Sequence, residues 1–453
     1  MLLVVRGSVH LDPINMLEGP SYLISRDLPS SCEQESKWVY NTFRVIEMTN
    51  KKHHLEDMEQ PPAKKLCKLI DGAHNGGEDL NLPATLVDDQ DKQHCGGDQS
   101  DSGSLIQQLG RDMSINCLLY CSRSEYGSIA SLNRSFRSLI TSGELYKLRR
   151  RMGIIEHWIY FSCSLLEWDA YDPNSNRWMR LPIMASNECF MSSDKESLAV
   201  GTELLVFGKE TMSQVIYRYS ILNNTWSSGM NMNTPRFLFG SASLGEVAIL
   251  AGGCDPKGNL LNSAELYNSE TGTWVTLPRM NKARKMCSAV FLEGKFYVIG
   301  GTGAGNTTLT CGEEYDLKTR TWREIPNMYP GRNAGDGAGV PVAAVEAPPL
   351  VAVVNENLYA ADYAHREVKR YDKARKSWVA VGRLPERVVS TNGWGLAFRA
   401  CGDRLVVIGG PRALGGRMIE IYSWAPDQGQ LHWDVLASRQ LGNFVYNCAV
   451  MGC

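Results

Sequence analysis

The sequence lacks most of the features that assign chemistry to a chain. Its 47 basic and 49 acidic residues leave a net charge of only −2, so no basic field draws it to nucleic acid. No apolar stretch approaches a membrane span, and the run Met1–Val5 is too short for a secretory signal. Thirteen cysteines are present, an odd number, and no two stand in a C-x-x-C pair; scattered in this way they read as reduced thiols of an intracellular protein. The spacings G-x-S-x-G, G-x-x-x-x-G-K-[ST] and H-E-x-x-H do not occur, which removes the common hydrolase, nucleotide and metalloprotease motifs. Gly301-Thr-Gly303-Ala-Gly305 is glycine-rich, but it follows an apolar strand and opens no helix, so it reads as a turn.

What the chain has is a repeat. Tyr171, Tyr219, Tyr267, Tyr315 and Tyr371 are each followed seven residues later by a tryptophan: Trp178, Trp226, Trp274, Trp322 and Trp378. Short apolar runs end in paired glycines at Gly252-Gly253, Gly300-Gly301 and Gly409-Gly410, with a degenerate copy at Gly208-Lys209 and a lost one at Ala361-Asp362. A turn glycine (Gly201, Gly245, Gly294 or Gly402) precedes most of these runs, as a hairpin requires. The tyrosine strand, a polar turn such as Asp316–Thr321 and the tryptophan strand follow, giving four antiparallel strands per unit. Such a unit cannot bury its own apolar face and needs neighbours. The first unit lacks a leading strand, and Phe444–Met451 is a spare one resembling Cys287–Phe291. A mainly β fold follows: a ring of six four-stranded blades over residues 151–453, closed by the C-terminal strand.

The N-terminal third differs. Residues 50–103 are poor in large apolar residues and rich in charge, glycine and glutamine, and residues 1–102 read as largely disordered. They contain Lys51 and Lys52 and, after eleven intervening residues, Lys64, Lys65 and Lys68, the pattern of a bipartite nuclear import signal. Residues 103–150 carry helical apolar periodicity and predict three short helices, over 105–119, 126–140 and 142–151. A module of that size has little core and leans on a partner or neighbour.

Diglycine, then tyrosine, then tryptophan seven residues on, in units of about 50 residues, resembles the kelch repeat. Leu109-Gly110-Arg111-Asp112, Ile115 with Cys117-Leu118, and Leu132-Asn-Arg134-Ser-Phe136-Arg137-Ser-Leu139 resemble an F-box, with Gly110 where that family has proline. Proline is pre-set for a first helical turn, so Gly110 should loosen it. Together with Ser21–Trp38 and Ser142–Trp158, the chain is similar to plant F-box/kelch-repeat proteins.

The resemblance implies a non-catalytic substrate receptor of an SCF-type (Skp–cullin–F-box) ubiquitin ligase, nuclear or cytoplasmic, without cofactor, acting on neither nucleic acid nor membrane. Leu109, Ile115, Leu118, Leu119, Ile129, Leu132, Phe136 and Leu139 would hold the Skp-type adaptor and through it a cullin. The propeller would hold the target protein. A kelch scaffold outside any ligase is the alternative. Some kelch propellers are copper oxidases, but His157, His365 and His432 are the only histidines from residue 151 on and fall at unmatched phases of the repeat. Arg236, Arg284, Arg332, Arg412 and Arg417 lie in loops that a four-strand meander places on one face, where they would clamp acidic groups of the target. Arg236 also ends a Met-x-x-Pro-Arg segment, a common close of kelch repeats, so it and Arg284 have a structural reading as well.

Overall fold

The structure, a computed structural model, describes residues 105–453 apart from 107–108, 165–166, 194, 211–212, 331–345, 412–417 and 443. Six four-stranded antiparallel sheets follow one another in the chain. The first contains β1 (His157–Ser162), β2 (Asp169–Asp172) and β3 (Arg177–Arg180), and the second β4 (Glu196–Val200) to β7 (Thr225–Ser228). The third runs from β8 (Gly240–Leu244) through β9 (Val247–Ala251) and β10 (Ala264–Asn268) to β11 (Thr273–Leu277). The fourth runs from β12 (Ser288–Leu292) to β15 (Thr321–Ile325), the fifth from β16 (Leu350–Val354) to β19 (Ser377–Arg383) and the sixth from β20 (Ala397–Cys401) to β23 (Asp434–Gln440). The last strand, β24 (Asn447–Gly452), pairs with β1 from His157↔Gly452 to Ser162↔Asn447 and supplies the innermost strand of the first blade. The ring closes as the spare strand predicts.

The repeat has a direct geometric meaning. Seven residues across a tight turn put tyrosine and tryptophan opposite one another, as in Tyr267↔Trp274 and Tyr315↔Trp322. Their ring centroids lie 4.8 and 4.9 Å apart, within the range of favourable aromatic pairs. In the second, third and fourth blades the indole also reaches the previous blade. Trp226 Nε1 donates to Pro182 O at 2.8 Å, Trp274 to Met230 O at 2.9 Å and Trp322 to Pro278 O at 2.8 Å. In the sixth blade Trp433 does the same to Arg383 O at 2.8 Å. It stands eleven residues after Tyr422, because the longer turn at 425–433 absorbs the difference. The turn before the tryptophan strand is held by Asp316 Oδ1, which accepts from Lys318 N at 2.8 Å and Thr319 N at 3.2 Å.

Diglycine is required by close backbone approach. Gly252 and Gly253 have φ of +72° and +92°. A Cβ on Gly252 would lie 2.5 Å from Arg284 O, and one on Gly253 would collide with Phe237 O.

The helical segment comprises α1 (Arg111–Leu119), α2 (Tyr126–Leu132), α3 (Arg134–Thr141) and α4 (Glu144–Arg151). The single helix expected over 126–140 is broken at Asn133. That residue is extended, with φ of −160°, and its Oδ1 accepts from Phe136 N at 2.9 Å, so it caps α3 and cannot continue α2. The module leans on the propeller. Its core, including Leu119, Leu139 and Leu145, is continuous with Trp158, Tyr160 and Met451 of the first blade. Glu156 is the keystone: it accepts from Arg149 Nη2 at 2.7 Å and from Arg123 N at 3.0 Å. Arg123 also bonds Tyr160 OH at 3.0 Å and lies 4.6 Å above the Trp158 ring.

Gly110 precedes α1 with φ of −61° and ψ of 164° and offers no side-chain cap. A Cβ there meets nothing within 4 Å. Proline fits this φ, so Gly110→Pro should stabilise the module by about 0.4–1 kcal/mol through a less flexible unfolded chain. A urea-unfolding midpoint that falls would contradict this.

Candidate interaction surfaces

A four-strand meander puts the turns joining its first and second strands, and its third and fourth, on one face. The helical module sits on that face. Arg150 pairs with Glu246 in the β8–β9 turn, Lys147 with Glu270 in the β10–β11 turn at 3.1 Å, and Gly143 packs on Leu222 in the turn before β7. Among the described residues, α1 to α4 leave the opposite face, built by the longer loops, uncovered. A channel of about 660 Å³ runs between the six innermost strands. Arg150, Ile155 and His157 border its helix-side end, and Phe239, Trp394 and Tyr446 its open end. Burial, with Arg123 nearby, holds the His157 imidazole below its ordinary value and therefore neutral.

The predicted arginine rim is not formed by Arg236 and Arg284. Both are fully buried clasps within their own blades. Arg236 Nη2 pairs with Glu265 Oε1 at 2.7 Å, and its Nη1 donates to Gly252 O at 3.1 Å and Ser263 O at 2.8 Å. Arg284 repeats this with Glu313 at 2.9 Å and Gly300 O at 2.9 Å. The carboxylates in turn accept backbone N–H groups, Asn233 and Thr234 on Glu265, and Asn281 and Lys282 on Glu313. A buried charge must be paired, so these two arginines follow the structural reading and reach no partner. The repeat contained the signal: Glu265, Glu313 and Glu420 each stand two residues before a repeat tyrosine. Glu420 takes Arg387 at 3.1 Å. Arg332, Arg412 and Arg417 lie outside the described residues, as do Lys51, Lys52, Lys64, Lys65 and Lys68.

Of the residues expected to hold an adaptor, Ile115, Leu118, Leu119, Ile129, Phe136 and Leu139 are buried in the module's own core, and Leu109 is half-buried. Leu132 is exposed. Pattern reading marks apolar positions and cannot separate those that build the module from those that face outward. The exposed apolar side chains of α1 and its C-cap are Met113 and Tyr120, 48% and 54% accessible. Seven residues apart, they share one face of the helix.

The three propeller histidines stand in three different blades. His365 Nδ1 lies 2.7 Å from Asp362 Oδ2, and His432 is on the surface beside Asp434. Among the described residues no group of three or more His, Cys, Asp or Glu gathers as a metal set. The cysteines described are free thiols. Burial pushes Cys287 and Cys448 up to about 11 and Cys163 and Cys401 to about 12, which keeps them protonated and unreactive.

Fold and surfaces thus define a closed propeller with a helical module fixed to one face and the longer loops on the other. The Kelch motif model matches residues 235–281 and 283–329, the units that hold the buried Arg236–Glu265 and Arg284–Glu313 pairs. An F-box/kelch-repeat protein of Arabidopsis thaliana is 61% identical over 452 residues, covering 97% of this chain and 100% of its own length. F-box/kelch-repeat protein SKIP11 of the same plant is 56% identical, covering 96% of this chain and 98% of its own. A more distant Arabidopsis thaliana F-box/kelch-repeat protein is 35% identical over 84% of the chain and 90% of its own length. The chain belongs to the F-box/kelch-repeat family.

Proposed function

We propose that the protein is the substrate-recognition subunit of an SCF-type ubiquitin ligase: the F-box helices hold a Skp-type adaptor and through it a cullin, and the open propeller face holds the target. The observation that carries this reading is the opposed placement of the two surfaces, with the helices clamped by Glu156 and Arg150 to the face away from the loops. The receptor itself is non-catalytic on this reading; it positions a target for chemistry performed by other subunits.

The adaptor face includes Met113 and Tyr120. Replacing both with aspartate should abolish co-purification of the adaptor while the melting temperature stays within a few degrees, because neither side chain is part of the core. Burying two such side chains at an interface contributes about 1.5–3 kcal/mol each, enough to weaken binding by two orders of magnitude or more. Leu118 and Phe136 are unsuitable for this test, since truncating them undermines the module's own packing. Undiminished adaptor binding by the double aspartate variant would favour the scaffold alternative.

The protein acts in the nucleus, the cytoplasm or both on this reading. The two lysine clusters between Lys51 and Lys68 support import, and Lys64→Ala with Lys65→Ala in a fluorescent fusion should shift the signal toward the cytoplasm. An unaltered distribution would remove the import signal from the proposal.

A further inference from the structure

The six innermost strands carry two charged residues, Glu196 and Arg399. Glu196 opens β4 at the loop-side end. Arg399 is the third of five residues in β20 and stands midway along the channel. Its neighbours across the channel are mostly small: alanines such as Ala242 and Ala289, and the hydroxyl side chains of Ser197, Ser241 and Ser288. An ionised guanidinium there is an anomaly that needs a reason.

Part of the reason is structural. Arg399 Nε donates to Cys448 O of the closing strand at 3.0 Å, and Nη1 to Phe398 O at 3.0 Å. Nη2 has no partner among the described residues, and the side chain is only half-buried. The other cations bordering the channel are committed. Arg150 is paired with Glu246, and Lys195 Nζ donates to Met191 O at 2.7 Å and Ser193 O at 3.1 Å. His157 is neutral, as described above. Arg399 is therefore the cation in the wall with a donor edge still to give.

We propose that the channel receives a carboxylate of the bound polypeptide, entering past Trp394 and Tyr446 and held by Arg399. This rests on the receptor reading of the propeller and moves target recognition from the loop arginines to the channel wall. Carboxylate is favoured over phosphate by charge. One guanidinium balances a single negative charge and offers a planar edge to its two oxygens, whereas a dianion would remain uncompensated beside the Glu196 carboxylate at the open end. Wall hydroxyls complete the polar lining. The carboxylate is a side chain or a chain terminus; both present the same group.

The test uses the full-length protein. Butyrate and its neutral isostere butyramide are titrated while the methyl resonances of Ala242, Ala289 and Ala400 are followed. Degenerate octapeptide pools are compared with a free terminus, with an amidated terminus, and with Asp and Glu replaced by Asn and Gln. Butyrate should shift the channel methyls and butyramide should not. Arg399→Met should weaken binding of butyrate and of the acidic pool by at least roughly tenfold, the loss of one good ionic contact, with Arg399→Lys intermediate. Loss on amidation alone assigns the chain terminus, and loss with the Asn/Gln pool alone assigns a side chain. Equal shifts by butyrate and butyramide in the wild-type protein overturn the proposal, even if Arg399→Met fails to fold. So does unchanged binding by a folded Arg399→Met. If that variant also retains adaptor co-purification, Arg399 is only a tie between β20 and β24 and the receptor reading stands; loss of adaptor co-purification by the wild-type protein would instead count against that reading.

Discussion

Deleting residues 447–453 should leave the propeller unable to fold cooperatively. β24 is the innermost strand of the first blade, and its whole length is paired with β1. It buries Cys448, Ala449 and Met451, and Cys453 follows them into the same core. Truncating one large buried side chain such as Met451 costs about 2–5 kcal/mol. Removing the strand loses several such side chains and the backbone ladder, and it opens an unpaired edge inside the ring. The total exceeds the roughly 5–15 kcal/mol margin of a typical fold. The helical module suffers as well, because Met451 and Cys453 belong to the core that Leu145 and Tyr146 complete. Circular dichroism and thermal melting decide the matter: a truncated chain that melts cooperatively near the wild-type temperature would show that closure by this strand contributes little.

The second large effect is expected at a buried ion pair. Glu313→Gln leaves Arg284 charged, fully buried and without its counterion. Breaking one partner of such a pair typically costs about 3–5 kcal/mol. Glu313 also anchors the chain approaching its own blade by accepting Asn281 N at 2.7 Å, so the loss should appear as a lower urea midpoint with little dependence on salt. Arg323→Ala is the internal control. Arg323 bonds the neighbouring Glu314 at 3.1 Å but is 67% exposed, and without it the buried Glu314 keeps Lys295 and Tyr297, so the loss should stay near the about 0–1 kcal/mol of an exposed pair. Equal costs for the two substitutions would mean that the Arg284 clasp is not structural. The comparison also bears on how the open face is probed. Reversing Arg236 or Arg284 would lower stability by the same route, so loss of target binding in those variants would say nothing about recognition.

Features repeated along the chain are legible in the amino-acid sequence itself. Five tyrosine–tryptophan pairs at one spacing, with paired glycines before them, are enough to require stacked four-stranded units. A first unit short of one strand and a spare strand at the other end are enough to close the ring. This works because strand pairing and turn geometry are local: seven residues across a tight turn admit one pairing, and two glycines at positive φ admit almost no other residue. Local signals place the helices too, and Asn133 marks their limit, since a capping residue can hide inside an apolar pattern that otherwise continues through it.

What the sequence alone determined is therefore the blade, its number and its closure. Which surface each side chain reaches was decided only in three dimensions. Arg236 and Arg284 are polar residues in loops by sequence, but the carboxylates that bury them lie 29 residues further along the chain. Ile115 and Phe136 are apolar helix positions by sequence, but whether they face a partner or their own core depends on how α1, α3 and the first blade meet. Arg399 looks like any strand arginine until six strands from distant parts of the chain surround it. Burial is a property of everything that packs around a residue, and for these side chains those neighbours are far away in sequence.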